Sequence, residues 1–280
     1  MRHQEPDGCP GCGGPMRPPN RGRPSVSHCR QCGLQRWLVA PDWSQRDYYD
    51  SLYARWSEPG DAEDIEEGFG AYVLGTASAS GSALQSAPHF RAVLPLLDRM
   101  PGGRVLDVGC GEGWLVRIML EKGWDAYGCD ISSVAIDEAQ SAGPSTRFFV
   151  GTPTDLPQDI GMFDCVTATH VLEHLPDPRR LLDSLGNRLR PGGWGLFTTP
   201  NRHRVGLMLR RLRRLPPQTW DLPPHHLTWW SRRALRSFLS NYFEEMAITC
   251  SRYGRLGLLD SLLSWRWGPH LHALCRGYGT

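Results

Sequence analysis

A glycine-rich run that follows a short apolar segment is the first part of this sequence whose residues could bind a ligand. The run is VLDVGCGEG, residues 105–113, and an amphipathic segment follows it directly. Gly109, Gly111 and Gly113 lack a Cβ, so a ligand can approach the backbone where a side chain would collide. Asp130 ends the next apolar segment, 21 residues after Gly109, and a carboxylate there can accept both hydroxyl hydrogens of a ribose.

The spacing of the glycines distinguishes between nucleoside ligands. A dinucleotide site uses G-x-G-x-x-G, whose spacing places a pyrophosphate on a helix N-terminus. Here the spacing is G-x-G-x-G, and an acid, Asp107, stands just before it. Carboxylates suit a ligand with an ammonium group better than they suit a pyrophosphate. The pattern therefore indicates S-adenosylmethionine, which has a ribose, an amino acid end and no phosphate.

Four cysteines near the start have the spacing of a metal site, C-x2-C-x16-C-x2-C: Cys9, Cys12, Cys29 and Cys32. Two thiolates three residues apart can bind one tetrahedral ion, and two such pairs complete a closed shell of four sulfurs. We expect structural zinc, because about 35 residues cannot bury enough apolar surface to fold alone. The alternative is four reduced cysteines in a flexible tail. Since a closed shell leaves no open position for chemistry, this segment is expected to be a scaffold or a docking element.

From Arg104 onward the chain alternates between apolar strands and amphipathic helices, which predicts a parallel sheet covered on both faces. The sequence divides into a zinc-binding knuckle (1–41), a helical lid or linker (42–87), and an α/β domain (88–280) with a basic insertion at 202–224. The predicted strands are 104–108, 126–129, 147–150, 165–169, 193–198, 246–252 and 271–275, and the predicted helices after 104 include 113–122, 133–141, 177–189 and 231–243.

Several motifs together resemble the class I S-adenosylmethionine-dependent methyltransferases, within the broad bacterial group with a leading C-x2-C zinc knuckle. The resemblance covers nearly the whole chain, and the motifs stand in the family's order: VLDVGCGEG, YGCDIS, FDCVTATHVLEHLPDP, LRPGGWGLFTTPN and HHLTWWSRRAL. It implies an α/β fold with a Rossmann-like, seven-stranded, mostly parallel sheet, an antiparallel last strand, a small N-terminal zinc ribbon and a lid.

The resemblance also implies which residues hold the cofactor. The glycines would line its methionyl part, Asp130 would hold the ribose and Ile131 would pack on the adenine. Family members usually have an acid after the third strand that meets the adenine amino group, whereas this chain has Thr152 there. The Thr152 hydroxyl or a backbone carbonyl is expected to replace that acid. The expected cofactor-binding residues are Asp107, Gly109, Cys110, Gly111, Gly113, Asp130, Ile131, Thr152, Pro153 and Thr169.

The tip of the fourth predicted strand, THVLEH, is where the methyl acceptor is expected, and it lacks the Asn/Asp-Pro-Pro-aromatic motif typical of base-modifying N-methyltransferases. We hypothesise that His170, Glu173, His174 and His226 form a catalytic cluster, because positions i, i+3 and i+4 share a face if a helical turn follows the strand. The pattern is similar to the E-x-x-E-H…H metal site of small-RNA 2′-O-methyltransferases and some ubiquinone-pathway O-methyltransferases. Three roles stay open: a second, divalent metal site, a single histidine as general base, or capping and packing alone.

Composition and charge limit the remaining functions. Among 280 residues the chain has 31 basic and 29 acidic ones, no stretch near the ~20 apolar residues of a membrane span, and no apolar stretch at its start like that of a secretory signal. A cytoplasmic protein is therefore expected. Residues 202–236 carry a net charge of +8 and residues 42–70 one of −7. The arginines could bind an anionic acceptor, or the two segments could attract each other.

The function that these observations favour is methyl transfer to a hydroxyl of a small metabolite, such as a sugar or a natural-product intermediate. One alternative is methylation of RNA, which the knuckle and the basic insertion would support. Others are C- or N-methylation of a small molecule, and a zinc-containing binding module without catalysis. The expected partner is a small acceptor, with an anionic group as one option; a nucleic acid is less favoured and a membrane is not expected.

Overall fold

The structure, a computed structural model, describes residues 8–18, 26–37, 43–56, 88–215, 222–250 and 269–279. Its strands are β1 (Met16–Arg17), β2 (Val26–Cys29), β3 (Gln35–Trp37), β4 (Arg104–Val108), β5 (Asp125–Asp130), β6 (Phe148–Val150), β7 (Phe163–Thr169), β8 (Leu189–Pro200), β9 (Thr228–Trp229), β10 (Phe243–Cys250) and β11 (His270–Tyr278). Its helices are α1 (Gln45–Trp56), α2 (Pro88–Leu97), α3 (Trp114–Glu121), α4 (Ser133–Ala142), α5 (Arg179–Ser184), α6 (Val205–Leu212) and α7 (Arg232–Leu239).

Seven of the strands form one sheet in the order β10-β11-β8-β7-β4-β5-β6. Strand β4 pairs in parallel with β5 and with β7, and β5 pairs in parallel with β6. Strand β11 is antiparallel to both of its neighbours, β8 and β10. This is the Rossmann-like, mostly parallel sheet with an antiparallel last strand that the sequence predicts, so the expected fold class is confirmed.

The chain divides into two compact units, one of which contains residues 44–167 and 187–189. In this unit β4 and α3 supply much of the core, with Val105, Leu106 and Val116 fully buried. The last four of the five residues of β4 are buried, as expected for a central parallel strand that is covered on both faces. Helix α4 begins after Ser132, whose hydroxyl accepts the amide hydrogen of Ala135 and so caps the helix.

The other unit contains residues 1–43, 168–186 and 190–280. Helix α7 is capped by Ser231, and it buries Phe238 against Trp230, with their ring centroids 5.2 Å apart. A second, four-stranded sheet lies in the same unit, in the order β1-β2-β3-β9. The three short strands of the cysteine-rich segment therefore continue into a strand that is almost 200 residues further along the chain, which the sequence did not predict.

Some boundaries differ from the prediction. The helix predicted over 177–189 ends at Ser184, because Gly186 is a poor helix residue and the chain turns there into β8. Strand β8 begins at Leu189, so Pro191 and Gly192 lie inside it rather than in a loop. The predicted lid, 42–87, begins with α1, and its part from residue 57 on lies outside the described residues. The predicted domain boundaries stay predictions.

Helix α6 lies within the basic insertion, of which the structure describes residues 202–215 and 222–224. Its Leu207 is buried, whereas Met208, Leu209 and Leu212 are exposed, Leu212 by 80%. Three arginines beside these residues are exposed as well: Arg211, Arg213 and Arg214. The exposed surface of this segment thus combines apolar and positively charged side chains. None of the described helices is both long and apolar enough to cross a bilayer.

Two glycine substitutions test the packing of the loop before α3. Gly113 has φ 75°, and a Cβ there would overlap the Phe148 ring; Gly123 has φ 86°, and nothing in the described part of the chain lies within 4 Å of its Cβ position. Gly123→Ala is expected to lower the free energy of unfolding by about 1 kcal/mol, for the positive φ alone. Gly113→Ala should cost roughly 1–3 kcal/mol more, because it also overpacks the core. Urea denaturation measures both, and equal losses would contradict this packing.

Candidate functional site

The glycine-rich run follows β4 as a tight turn that is bonded to the end of β5. Its three glycines all have left-handed φ angles, between 50° and 75°. The amide of Gly109 donates to the carbonyl oxygen of Cys129 at 2.8 Å, and the amide of Gly111 donates to Oδ2 of Asp130 at 3.0 Å. A hydrogen-bonded frame therefore joins the two strand ends at which the sequence places its ligand.

Asp130 uses both carboxylate oxygens in that frame. Oδ1 accepts the amide hydrogen of Ser132 at 2.9 Å, while Oδ2 accepts that of Gly111. Burial raises the pKa of Asp130 above its ordinary value, and the two amide hydrogen bonds oppose that rise. A carboxylate has about four lone-pair positions, so two are left for hydroxyl hydrogens of a ligand. Ile131, which follows it, is half-buried.

Asp107, which the sequence places near the ammonium end of the ligand, lies inside β4 and is only 2% exposed. Its Oδ1 accepts a hydrogen bond from the Thr167 hydroxyl at 2.6 Å. Burial raises the pKa of Asp107 to about 7, although the Thr167 bond lowers it. Cys110 is buried as well, and its Sγ lies where a Cβ on Gly128 would come within 2.7 Å. Both side chains are thus held within the sheet and the turn.

The loop after β6 contains Thr152, which the sequence places opposite the adenine. The amide and the hydroxyl of Thr152 both donate to Oδ2 of Asp155 at 2.7 Å. These bonds lower the pKa of Asp155, so it stays ionised. Thr152 and Asp155 are therefore one hydrogen-bonded pair, and the role of Thr152 at the adenine stays a prediction.

Arg188 holds the same loop in place, and no sequence pattern singled it out. Only 8% of Arg188 is exposed. Its Nε donates to the carbonyl oxygen of Pro153 and its Nη1 to that of Pro157, both at 3.0 Å. Its Nη2 donates to the carbonyl oxygen of Leu156. A buried guanidinium with five N–H donors needs several acceptors, and an irregular loop offers unused carbonyls. Nothing local in the sequence marks such a residue, since all its partners are about 30 residues away.

Helix α1 contributes two further side chains that the sequence did not assign. The hydroxyl of Tyr53 lies 2.7 Å from the position that a Cβ on Gly111 would occupy. Oδ1 of Asp50 accepts a hydrogen bond of 2.7 Å from the Ser132 hydroxyl. Burial, and then the negative charge of Asp130, raises the pKa of Tyr53, so its phenol stays protonated and can donate. The aromatic start of the predicted lid therefore lies beside the glycine-rich turn.

The residues after β7 form a single 3-10 turn, Leu172–His174, that carries the predicted catalytic side chains. His170 precedes this turn and has φ 56°, a conformation that residues with a Cβ rarely adopt. Its amide donates to the carbonyl oxygen of Thr198 at 3.1 Å, and its Nδ1 lies 3.0 Å from Oε1 of Glu173. Thr169, the last residue of β7, is half-buried. Strained residues of this kind are concentrated at functional sites.

Glu173 is the buried charge at the centre of this cluster, with only 1% of its side chain exposed. Its Oε1 also lies 4.0 Å from Nε2 of His174. Burial alone would raise the pKa of Glu173, but the hydrogen bond from His170 and the nearby imidazoles lower it below its ordinary value. Within the described ranges its Oε2 has no hydrogen-bond partner. A buried carboxylate oxygen in that state calls for a donor or a cation.

Three histidines converge beside Glu173: His174, His225 and His226. One nitrogen of each lies within 4.8 Å of the other two. Nδ1 of His174 lies 2.7 Å from the carbonyl oxygen of His225, so that nitrogen carries the proton. Burial lowers the pKa of His174 to about 4 and that of His225 to about 2, so both rings are neutral at pH 7. His225 was not predicted from the sequence. Its position directly before His226 is the one sequence feature that could have suggested it.

The four cysteines of the knuckle also converge, and their sulfurs lie within 4.8 Å of one another. Sγ of Cys9 is 3.5 Å from that of Cys32, and Sγ of Cys12 is 3.5 Å from that of Cys29. Amides donate to the sulfurs, that of Gly11 to Cys9 at 3.2 Å and that of Cys32 to Cys29 at 3.4 Å. The hydrogen bond between Cys9 and Cys32 lowers the pKa of Cys32 and raises that of Cys9, so Cys32 is the thiolate of this pair. Four converging cysteine sulfurs that accept amide hydrogens are the donor set of a tetrahedral zinc site.

Comparison with known proteins adds to this geometry. A family model described as "Methyltransferase domain" matches residues 85–242, more than half of the chain. A ubiquinone biosynthesis O-methyltransferase from Chromobacterium violaceum is 34% identical over 124 residues, which cover 41% of this chain and 53% of that protein. The protein of the same name from Bordetella avium is 29% identical over 169 residues, 58% of this chain and 63% of that protein. The chain thus spans less than two thirds of the length of these curated relatives.

Among solved structures, the magnesium protoporphyrin IX methyltransferase from Synechocystis PCC 6803 with bound SAH has a similar fold. The TM-score is 0.53 at 20% identity, and the match covers 82% of this chain and 97% of that chain. The matched family model includes the glycine-rich turn and Asp130. On these grounds the chain belongs to the class I S-adenosylmethionine-dependent methyltransferases.

Proposed function

We propose that this chain transfers a methyl group from S-adenosylmethionine to a hydroxyl group of a small molecule. The observation that carries the oxygen acceptor is the buried, ionised Glu173 bonded to His170 at the end of β7. A hydroxyl must give up its proton as the methyl group arrives, and this pair of side chains is able to take it. The names of the relatives from Chromobacterium violaceum and Bordetella avium, both O-methyltransferases, support the same acceptor atom.

The residues around the glycine-rich turn fit the cofactor. Asp130 keeps acceptor capacity for ribose hydroxyls, and the half-buried Ile131 beside it offers apolar surface for an adenine. Tyr53, a protonated phenol next to Gly111, is a donor suited to the carboxylate of the methionyl end. When bound, the cofactor supplies an electrophilic methyl group. The protein residues then serve to bind and orient it, which is where most of the rate of such a displacement comes from.

His170 is the proposed general base. Its Nδ1–H donates to the Glu173 carboxylate, which fixes the ring and stabilises the imidazolium that forms when Nε2 takes the proton of the hydroxyl. Glu173 acts through His170 and is therefore a positioning residue. His174 is less suited to this role, because a base with a pKa of about 4 accepts a hydroxyl proton poorly at neutral pH.

His174, His225 and His226 are the residues that would hold a divalent cation, and they fit one. Their nitrogens converge within 4.8 Å, two of the rings are neutral, and Oε1 of Glu173 lies 4.0 Å from Nε2 of His174. A bound cation would lower the pKa of an acceptor hydroxyl. This set differs from the one expected from the sequence. It includes His225, and it does not include His170, which is bonded to Glu173.

The acceptor is proposed to be a small molecule with an anionic group. The relatives are named for the biosynthesis of a small molecule, which supports this class over RNA. The exposed arginines at the end of α6, Arg211, Arg213 and Arg214, are suited to a carboxylate or a phosphate. Structural zinc in the cysteine knuckle is proposed on the geometry of its four sulfurs.

Substitution of Asp130 tests the cofactor site. Asp130→Asn keeps the shape but replaces one acceptor oxygen by a donor, so binding of S-adenosylhomocysteine should weaken about 10–100-fold, the worth of one charged hydrogen bond. Isothermal titration calorimetry measures the change. Asp137→Asn, an exposed carboxylate on α4 of the same unit, is the control and should leave Kd unchanged. Wild-type affinity in Asp130→Asn would rule out the ribose contact.

Two substitutions separate the base from the metal site. Glu173→Gln removes the charge that supports His170, so kcat should fall ~10²–10⁴-fold with little change in the KM of the cofactor. His225→Gln removes one nitrogen of the three-histidine set and should abolish one equivalent of bound metal beyond that of the knuckle, measured by elemental analysis. His203→Gln, an exposed histidine outside the cluster, should change neither quantity. An unchanged kcat in Glu173→Gln excludes the base, and a metal content of only one equivalent in the wild type excludes the second site.

The neutral state of His174 can be tested through stability. Its pKa is about 4 when folded against 6.5 ordinarily, so between these values the unfolded chain binds a proton that the folded protein does not. Stability is therefore retained above pH ~6.5 and lost as the pH falls toward 4. From pH 7 to pH 5 this residue should cost roughly 2 kcal/mol. Urea denaturation at both pH values should show a smaller loss in His174→Gln than in the wild type or in His203→Gln. Equal losses in all three proteins would show that folding does not lower the pKa of His174.

A further inference from the structure

The outer strand of the cysteine-rich segment is not a free sheet edge. Strand β3 pairs antiparallel with β9, with Gln35 opposite Trp229 and Arg36 opposite Thr228. One residue further, the amide of Trp37 donates to the carbonyl oxygen of Leu227 at 2.8 Å. The backbone groups that an edge strand normally offers to another chain are therefore bonded within this chain.

Strand β9 and the residue before it are bonded in turn to the 3-10 turn that carries Glu173. The amide of Leu227 donates to the carbonyl oxygen of Glu173 at 2.7 Å, and the Thr228 hydroxyl donates to that of Leu172 at 2.9 Å. His225 and His226 directly precede Leu227 in the chain. The hydrogen bonds that place these histidines thus run on one side to Glu173 and on the other side to β3.

The other end of β3 is joined to the cysteines. Gly33 and Leu34 separate Cys32 from the first residue of β3, and the amide of Cys29 donates to the carbonyl oxygen of Leu34 at 2.9 Å. Leu34 is fully buried, and the Arg202 guanidinium donates to the carbonyl oxygen of Gly33. A continuous backbone path therefore connects the sulfur cluster, β3, Leu227 and Glu173.

Within the cysteine-rich segment itself, little apolar packing supports β3. The strands of this segment are two to four residues long, and the buried apolar side chains among its described residues are three of the cysteines, Pro10 and Leu34. So small a core does not stabilise a fold, and closely spaced thiolates repel one another unless a cation joins them. We therefore expect the cysteine end of β3 to depend on metal binding by the four cysteines, while β9 supports the outer edge of the strand.

We propose that the metal-loaded cysteine knuckle is a positioning element for the catalytic cluster: it holds β3, and through β3 it holds Leu227 and the adjacent His225 and His226 at Glu173. This proposal rests on the proposed function of the histidines for its catalytic consequence, but not for its structural part. It assigns the knuckle to this chain's own site, because the outer edge of β3 pairs with β9 of the same chain.

Hydrogen–deuterium exchange of the full-length protein tests the structural part. Trp37→Pro removes the N–H that is donated to Leu227, whereas Trp37→Phe keeps it and serves as the matched control. Peptides that contain residues 225–231 should exchange at least ten-fold faster in Trp37→Pro and at the wild-type rate in Trp37→Phe. Peptides of β4 and β5, and the affinity for S-adenosylhomocysteine, should stay unchanged, which shows that the variant is folded. Wild-type exchange of 225–231 in Trp37→Pro would overturn the proposal.

Two single cysteine substitutions test whether the order of residues 225–231 depends on metal in the knuckle. Cys12→Ser should lose the knuckle's metal, measured by elemental analysis, and should show the same faster exchange of 225–231. Cys250 is a half-buried cysteine outside the knuckle, so Cys250→Ser should keep the knuckle's metal and the wild-type exchange rate. Metal loss without faster exchange would overturn the proposal. Faster exchange with a reduced kcat and an unchanged cofactor Kd supports both the positioning element and the proposed role of the histidines. Faster exchange with a wild-type kcat supports the positioning element and refutes that role.

Discussion

The burial of the Glu173 carboxylate is the constraint on which the candidate catalytic cluster depends. A buried carboxylate is costly unless hydrogen bonds and opposite charge compensate it. Here the His170 ring meets the side chain, and the Leu227 amide meets the backbone carbonyl of the same residue. His170 precedes Glu173 in the chain and Leu227 follows it, so one buried residue joins the end of β7, through its side chain, to the segment before β9, through its backbone.

The other unit uses the same physical device around the expected cofactor. Asp130 is buried and accepts amide hydrogens from Gly111 and Ser132, and Arg188 is buried and donates to carbonyl oxygens of the loop after β6. Both loops lack regular structure, so their backbone groups are left for side chains to satisfy. Buried charges that meet these groups hold the loops in one conformation, which a site for a displacement reaction requires.

The two clusters of metal-ligand residues differ in their chemistry. Four cysteine sulfurs form a closed set with amide donors, which suits a structural ion and leaves no position for a substrate. Three imidazoles leave at least one position open. A shared fold does not fix the substrate, because one fold can carry many different sites. The side chains of the site, and not the fold, therefore determine which acceptor binds.

Sequence patterns by themselves determined the sheet, the glycine-rich turn and the sulfur cluster of this protein. Each of these depends on local features: the alternation of apolar strands with amphipathic helices, glycines at positive φ, and cysteines three residues apart. His170, Glu173 and His174 could also be predicted as neighbours, because they lie within one turn. Only the tertiary structure decided the roles of Arg188, Tyr53 and His225, and the pairing of β3 with β9. Those contacts join residues that are tens to almost 200 positions apart, and their energy comes from burial and from satisfying distant backbone groups, which no local spacing records.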